Sequence, residues 1–149
     1  MVDIRYMHSF SIRIYYEDTD AGGVVYYSNY LRFAERARTE FLRELGFNHN
    51  RLLNEEGILV AVKRCETEYL KPARLDDALE IRTRLLNVTG ARFLLEQSVE
   101  RAEDTLVQLR TSLACIRVNG RPCRVPVALS TALKGFAGPV KKTTNYMDN

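Results

Sequence analysis

Alternating apolar and polar residues mark several strands in this 149-residue chain. Between positions 9 and 16, apolar or aromatic side chains occupy every second position, which is typical of a half-buried strand; they are Phe10, Ile12, Ile14 and Tyr16. Four further strand-like runs cover residues 58–70, 79–88, 92–102 and 105–118. The connections between these runs are short and suit antiparallel pairing; they contain Pro72, Asp76, Asp77, Gly90, Glu103 and Asp104.

A helical period replaces this alternation after position 28. Apolar residues then recur every three or four positions, which predicts a helix with a broad apolar face; they are Tyr30, Phe33, Ala34, Ala37, Phe41 and Leu45. Ser28 and Asn29 are good N-cap residues, and Gly46 is a good terminator. A short second helix is predicted over 51–56. Long strands beside one long helix predict an α+β fold, in which an antiparallel sheet curls around that helix.

Composition fits a small globular protein with one core, because 46% of the residues are hydrophobic and 28% are charged. We predict a single domain over residues 1–137 and a polar C-terminal tail over 138–149 that is a candidate for disorder. The net charge of +3 favours anionic ligands but is too small to indicate nucleic-acid binding.

No apolar run approaches the roughly 18 residues of a membrane-spanning helix, and no signal peptide is apparent. We therefore expect the protein to remain in the compartment where it is made. Three cysteines without Cys-x-x-Cys spacing predict reduced thiols rather than disulfides or a zinc site. The two histidines, His8 and His49, are too few and too separated for a metal centre, and both are expected at the surface.

The segment from Tyr16 to Tyr30 carries the most chemistry, because it places carboxylates and paired glycines between the first strand and the long helix. Gly22 and Gly23 allow a sharp turn that exposes backbone N–H groups. The first turn of a helix has free N–H groups and a favourable dipole for developing negative charge. A carboxylate on one side and such donors on the other suffice to hydrolyse an activated carbonyl.

The two acids Asp18 and Asp20 also fit other kinds of site. They could cap a strand-to-helix turn, as aspartate often does. A calcium loop that starts at Asp18 would need an acid at its twelfth position, where Asn29 stands. A phosphatase motif would have threonine at the position of Gly22.

The segment resembles the signature of the 4-hydroxybenzoyl-CoA thioesterase family of hotdog folds, and within it the YbgC-type acyl-CoA thioesterases associated with the Tol-Pal envelope system. The resemblance continues through residues 35–40 and 69–77 and covers the chain from about Ile12 to Pro126. It implies that Asp20 is the catalytic acid, as base or nucleophile, and that the backbone N–H of Tyr27 is the oxyanion donor. The YbgC pattern commonly has histidine where Tyr27 stands.

The resemblance also implies hydrolysis of an acyl-CoA to a free acid and CoA, without a cofactor or metal. Tyr26, Arg92 and Arg124 are candidates for substrate binding, and the two arginines, with Arg121, for the CoA phosphates. The implied assembly is a homo-oligomer, dimer or tetramer, with the site at the subunit interface. The implied location is the cytoplasm, with a peripheral position at the inner membrane as a further option.

Two other functions compete with hydrolysis. A hotdog dehydratase or hydratase would need a catalytic histidine, and neither His8 nor His49 lies in a suitable context. A non-catalytic module for acyl-CoA or acyl carrier protein, or an envelope-associated scaffold, would not need Asp20 beside a helix start. Acyl length, aromatic or aliphatic preference, and CoA or carrier protein as the donor stay open at this point.

Overall fold

Five antiparallel strands form one sheet in the computed structural model, which describes residues 4–137. The spatial order is β1-β3-β4-β5-β2. Their bounds are β1 His8–Arg13, β2 Ile58–Tyr69, β3 Ala78–Thr89, β4 Arg92–Arg101 and β5 Asp104–Arg117. The helices are α1 Asn29–Glu44, α2 His49–Glu56 and α3 Val127–Phe136. The predicted α+β hotdog arrangement is therefore confirmed, while the predicted tail over 138–149 lies outside the described residues.

The long helix α1 lies against the inner face of the sheet, with its apolar side buried as its sequence period predicts. Two apolar clusters fill the interior. The site-end cluster surrounds the first half of α1 and contains Ile14, Val25, Tyr30, Phe33, Ala34, Ala37, Ala73, Leu79, Ile81, Val99, Leu106, Val107 and Leu109. The far-end cluster surrounds its second half and contains Phe41, Leu42, Ile58, Leu85, Phe93, Leu95, Leu113, Cys115, Val125, Leu129 and Leu133.

The outer face of the sheet is charged. Glu96 on β4 accepts from Arg84 on β3 at 2.7 Å and from Arg110 on β5 at 3.4 Å. Arg82 lies 3.5 Å from Glu100 on the same face. Such cross-strand ion pairs suit a surface that faces water, so the buried side of the sheet is the one that carries α1.

The first strand is shorter than its alternation predicts. Strand β1 ends at Arg13, and Tyr16 is 82% exposed in a 3-10 turn rather than aligned with Ile14. The cause is local, because the carboxylate of Asp18 accepts a 2.8 Å hydrogen bond from the Tyr15 N–H. This contact bends the chain before the alternation is complete.

The connection over residues 70–77 is not the hairpin turn that its length indicated. Strand β2 pairs only with β5, at one edge of the sheet, whereas β3 lies between β1 and β4. The chain therefore crosses over the start of α1 between the two strands. This crossover forms part of the candidate site.

The surface position expected for His8 is wrong. Its ring is 8% exposed, contacts the ring of Phe41 at a tilt of 56° with centroids 5.8 Å apart, and places Nε2 2.9 Å from Glu44 Oε2. Burial lowers the pKa of His8, while Glu44 and Glu40 oppose that shift. The other histidine, His49, is exposed, as predicted.

All three cysteines, Cys65, Cys115 and Cys123, are free thiols, as predicted. Burial raises the pKa of Cys115 to about 11, so its thiol stays protonated at neutral pH. Within residues 4–137, no helix is long and apolar enough to cross a bilayer. In the same part of the chain, no group of three or more potential ligands comes together for a metal ion.

Candidate active site

A small hairpin over residues 18–26 leads from the 3-10 turn into α1. The Asp20 N–H donates to Val24 O at 2.9 Å, and the Tyr26 N–H donates to Asp18 O at 3.0 Å. Gly23 forms the turn with a φ of +78°, a conformation that favours glycine. The hairpin therefore holds Asp20 opposite Val24, and Val24 precedes Tyr27 by three residues.

The carboxylate of Asp20 is held by backbone donors. Its Oδ1 accepts from the Gly22 N–H at 2.8 Å and, more weakly, from the Val24 N–H at 3.4 Å. The side chain is exposed, and its Oδ2 has no donor among residues 4–137. One oxygen thus fixes the orientation of the group, and the other is open to water or substrate.

The carboxylate of Asp18 is used differently. Its Oδ2 accepts the Tyr15 N–H, and its backbone oxygen accepts the Asn29 side-chain amide at 3.0 Å. These contacts tie the turn before the hairpin to the first residue of α1. Asp18 therefore stabilises the loop, and Asp20 carries the carboxylate that faces solvent.

The backbone before α1 presents free donors. The Asn29 N–H bonds to Tyr26 O at 2.9 Å and the Tyr30 N–H to Tyr27 O at 3.3 Å. The N–H groups of Tyr27 and Ser28 have no acceptor in the described part of the chain. They stand at the positive end of the helix dipole, where an anionic oxygen is favoured.

The crossover is joined to this hairpin and to α1 by hydrogen bonds. The Val25 N–H donates to Ala73 O at 2.9 Å, and the Ala73 N–H donates to the buried hydroxyl of Tyr30 at 2.9 Å. Burial raises the pKa of Tyr30, and the hydrogen bond from Ala73 partly offsets that shift. The site loop, the crossover and α1 are therefore locked together through backbone groups.

A salt bridge fixes the crossover in turn. The Arg101 guanidinium donates to Asp77 Oδ2 at 2.8 Å and to Pro72 O at 3.2 Å. Burial alone would raise the pKa of Asp77, but hydrogen bonds from Arg101 and the Arg74 N–H outweigh it and lower that pKa.

Aromatic rings form one wall beside the free donors. Tyr26 and Tyr27 lie with ring centroids 4.8 Å apart, and Tyr27 meets Tyr69 of β2 edge-on at 6.3 Å. Tyr27 is 60% exposed and Tyr69 is 46% exposed. Hydrogen bonding to Tyr27 raises the pKa of Tyr26. The rings meet at interplanar angles of 59° and 87°, so they offer an exposed apolar wall of faces and edges for a substrate.

The predicted phosphate-binding arginines lie elsewhere in this chain. Arg92 begins β4, and Arg124 lies on a segment that is joined to the β3–β4 turn by the Val125 N–H to Gly90 O bond of 2.9 Å. Arg121 follows the end of β5. All three arginines flank the far-end cluster, whereas Asp20 precedes the opposite end of α1, a helix that is about 24 Å long. One chain therefore brings Asp20, Tyr26 and Tyr27 together, but not the arginines.

Sequence reasoning missed two residues that the fold adds to this region. Tyr69 lies in the strand predicted over 58–70 and in the 69–77 stretch of the resemblance but was not a candidate site residue, and its ring contacts both Tyr27 and Tyr30. Arg38 is a buried cation on α1. Its position four residues after Ala34 and four before Leu42, both on the apolar side, was the available signal.

A family model for the thioesterase-like superfamily matches residues 15–133, which include the hairpin, α1 and the whole of β2 to β5. The chain belongs to the thioesterase-like superfamily. Among curated thioesterases, the acyl-CoA thioesterase YbgC of Haemophilus influenzae is 46% identical over 108 residues, which is 72% of this chain and 79% of that protein. A putative esterase of Aquifex aeolicus is 33% identical and covers 82% of this chain and 94% of its own length.

Solved structures of thioesterases agree. A probable thioesterase from Bartonella henselae is 40% identical with a TM-score of 0.78, covering 80% of this chain and 99% of that one. A 4-hydroxybenzoyl-CoA thioesterase variant bound to 4-hydroxybenzoyl-CoA has a TM-score of 0.81 and covers 86% of this chain and 99% of its own. At 22% identity this second likeness shows the fold alone. The resemblance to YbgC-type thioesterases and the assignment as a thioester hydrolase are therefore confirmed at the level of the family.

Proposed function

We propose that this protein hydrolyses acyl-CoA thioesters, with Asp20 as base or nucleophile and the Tyr27 N–H as oxyanion donor. The observation that carries the proposal is the pairing of a fixed carboxylate with free helix-start donors on one hairpin. Membership of the thioesterase-like superfamily supports it, because a thioester has the activated carbonyl that such a pairing suits.

Two routes use this geometry. In the first, Asp20 Oδ2 takes a proton from water, whose oxygen attacks the thioester carbon; the C–S bond then breaks, and CoA leaves as a thiolate that is protonated by solvent. In the second, Oδ2 attacks the carbon itself, expels the thiolate and forms a mixed anhydride that water then hydrolyses. Both routes need the free Oδ2, while Oδ1 stays on Gly22 and Val24.

The oxyanion of either route fits the start of α1. The Tyr27 N–H, with Ser28 beside it, offers hydrogen bonds that strengthen as the carbonyl oxygen becomes negative. Removing one such donor lowers the rate by about 100-fold to 1,000-fold in comparable sites. Since the donor is a backbone group, tyrosine in place of histidine at position 27 leaves this function intact.

We further propose that a second copy of the chain completes the site. Strand β2 is a 12-residue edge strand, and its inner side leaves Val62 and Tyr69 about half exposed. A long unpaired edge with apolar side chains is a ready template for pairing with another strand. Two β2 edges related by a two-fold axis would continue the sheet from one subunit into the next.

Such a dimer would also bring in the distant arginines. The Ile58 end of β2 lies at the far end of the domain, and its Tyr69 end lies beside the site. Antiparallel pairing of two β2 edges sets the far end of one subunit beside the site of the other. Arg92 and Arg124 of the partner subunit would then approach the hairpin and could bind the CoA phosphates.

The first test is thiol release from short, long and aromatic acyl-CoAs, and from an acyl carrier protein thioester, by the wild type and Asp20→Asn. We expect cleavage of some member and loss of most of that rate in the variant. Absence of cleavage with retained binding would support a non-catalytic acyl-binding module instead. A single turnover in ¹⁸O-water then tests the second route, because label in Asp20 with an unlabelled product acid requires a mixed anhydride that water attacks at the Asp20 carbon. Label in the product acid excludes that path and fits attack of water on the acyl carbon.

A further inference from the structure

A strip of polar side chains crosses the buried inner face of the sheet between the two apolar clusters. It consists of Thr83 on β3, Gln97 on β4, Thr111 on β5 and Cys65 on β2; the first three are fully or almost fully buried. Gln97 Nε2 donates to Thr83 Oγ1 and to Ala34 O, both at 3.0 Å. Cys65 Sγ lies 3.4 Å from Thr111 Oγ1 at the exposed edge. The register sets Gln97 opposite Leu109 and Thr111 opposite Leu95, so the polar strip consists of two pairs, Thr83–Gln97 and Thr111–Cys65, in neighbouring rows of the inner face.

A guanidinium lies over this strip. Arg38 of α1 is 8% exposed, and its Nη1 donates to Gln97 Oε1 at 3.0 Å. Among residues 4–137, no carboxylate lies within 4.0 Å of it, and the exposed Glu35 acts only at longer range. Burial lowers the pKa of Arg38 accordingly. Buried charges in proteins are usually paired, and a guanidinium has five N–H donors in all.

Arg38 and Tyr27 lie on the same side of α1. Tyr27 contacts Tyr69 on the inner side of β2, and Arg38 follows Tyr27 by eleven residues, which is about three helical turns. Leu31 follows Tyr27 by four residues and precedes Arg38 by seven, so it lies between them on this face, and it is exposed. This side of α1 is thus apolar near the site, at Leu31, and carries a buried cation farther along, at Arg38.

We propose that Arg38 binds the distal end of the acyl group, and that the preferred substrates are acyl thioesters that end in a carboxylate. This inference rests on the proposed thioesterase function. A terminal carboxylate would pair with the guanidinium that the chain leaves without an acid. An alkyl chain of the same length would bury the guanidinium further without offering it a negative charge or a hydrogen-bond acceptor. An acyl group that ends in a methyl would therefore be disfavoured.

The position of Arg38 sets the length of such a substrate. Asn29 and Arg38 are separated by about 14 Å along the helix axis. Long helical side chains point back towards the N-terminus, which leaves the guanidinium on the order of 10 Å from the helix start. An extended chain advances about 1.2 Å per bond. An acyl group of about eight carbons therefore reaches Arg38 from a carbonyl held at Tyr27.

The test compares kcat/KM for suberyl-CoA and octanoyl-CoA, which differ only in the terminal carboxylate. We expect the wild type to prefer suberyl-CoA by at least about 10-fold, and Arg38→Met to lose that preference by roughly 30-fold or more. The matched control is Arg36→Met, an exposed arginine on the same helix, which should leave the ratio unchanged. Free suberate should also raise the Tm of the wild type more than octanoate does.

Equal kcat/KM for the two thioesters in the wild type would overturn the proposal without any variant. An equal fall for both in Arg38→Met would do the same, because it would mean that Arg38 only supports the fold. If Arg38→Met does not fold, the wild-type ratio and the suberate shift decide. If no thioester is cleaved, the proposed function fails, and the difference between suberate and octanoate in the Tm measurement still reports on Arg38.

Discussion

The Gly22 N–H donates a 2.8 Å hydrogen bond to Asp20 Oδ1, and a Cβ added to Gly22 would lie 3.3 Å from that same oxygen. Gly22→Ala should therefore push the carboxylate by a few tenths of an ångström while the fold persists. We expect kcat to fall about 10-fold, because small displacements of a reacting group are costly. Steady-state kinetics and a denaturation curve measure the two effects separately.

Gly23→Ala is the matched control. A Cβ there meets no atom within 4 Å, but the φ of +78° is strained for alanine. This variant should lose about 1 kcal/mol of stability or more. If Gly22→Ala instead loses stability and keeps full kcat, the contact with Asp20 only supports the fold.

Two substitutions at position 27 separate the oxyanion donor from the tyrosine ring. Tyr27→Pro deletes the N–H at a turn position before α1, where proline is tolerated, whereas Tyr27→Ala keeps the N–H and deletes the ring. We expect the proline variant to lose about 100-fold to 1,000-fold in kcat and the alanine variant far less. Comparable losses in both would assign the effect to the tyrosine ring.

Much of the fold could be predicted because its signals are local. The period of α1, its cap residues and Gly46 gave its bounds within one residue, and the four later strands were placed within one or two residues. The pairing of β2 with β5 was not predictable in this way. It depends on which edges come together across the whole sheet, and a short connection such as 70–77 can be a hairpin or a crossover.

The candidate site, too, could be predicted only where its signals are local. Asp20 and Tyr27 lie seven residues apart, so one segment reveals them, whereas Tyr69 reaches them only through the β2–β5 pairing and the crossover. His8 was misplaced because its charge at neutral pH is small and its partner Glu44 lies on another element. A buried polar residue is identified by its neighbours in space, which alternation along the chain does not encode.

The buried His8 should make stability depend on pH. Its folded pKa lies below the ordinary value of about 6.5, so the unfolded chain binds the proton more readily. Stability should be full above about pH 6.5 and fall as the pH drops towards the folded pKa. His8→Gln should remove the contribution of His8 to the loss of stability between about pH 5 and 7. Urea denaturation across that range measures it.

The exposed His49 provides the control, and His49→Gln should keep the wild-type profile. A histidine C2–H titration by NMR should give a folded pKa for His8 below 6.5. A value above 6.5 would mean that Glu44 and Glu40 dominate over burial, and the sign of the pH effect would reverse.

The Arg101–Asp77 pair should stabilise the crossover mainly above about pH 4. The folded pKa of Asp77 is lowered, so its contribution is present above the unfolded pKa of about 3.9 and is lost as the pH falls through the folded pKa. Arg101→Met should lower the free energy of unfolding by about 1 kcal/mol at pH 7 and make its decrease below about pH 4 smaller. Lys71→Met removes a more exposed pair with Asp104 and should change stability by less than about 0.5 kcal/mol. Equal effects of the two variants would show that the Arg101–Asp77 pair stabilises the fold no more than an exposed surface pair does.

Complementation between two inactive variants tests whether the site is shared between subunits. Asp20→Asn removes the acid from one chain, and Arg92→Ala with Arg124→Ala removes the predicted phosphate contacts from the other. In a mixed dimer of the proposed geometry, one of the two sites combines the intact Asp20 of the second chain with the intact arginines of the first. Random mixing makes about half of the dimers mixed, so about a quarter of the wild-type activity should return. Unfolding and refolding the two proteins together, and separately as the control, gives the comparison. If activity stays at the average of the separate proteins while light scattering shows a dimer, the arginines act within their own chain or not at all.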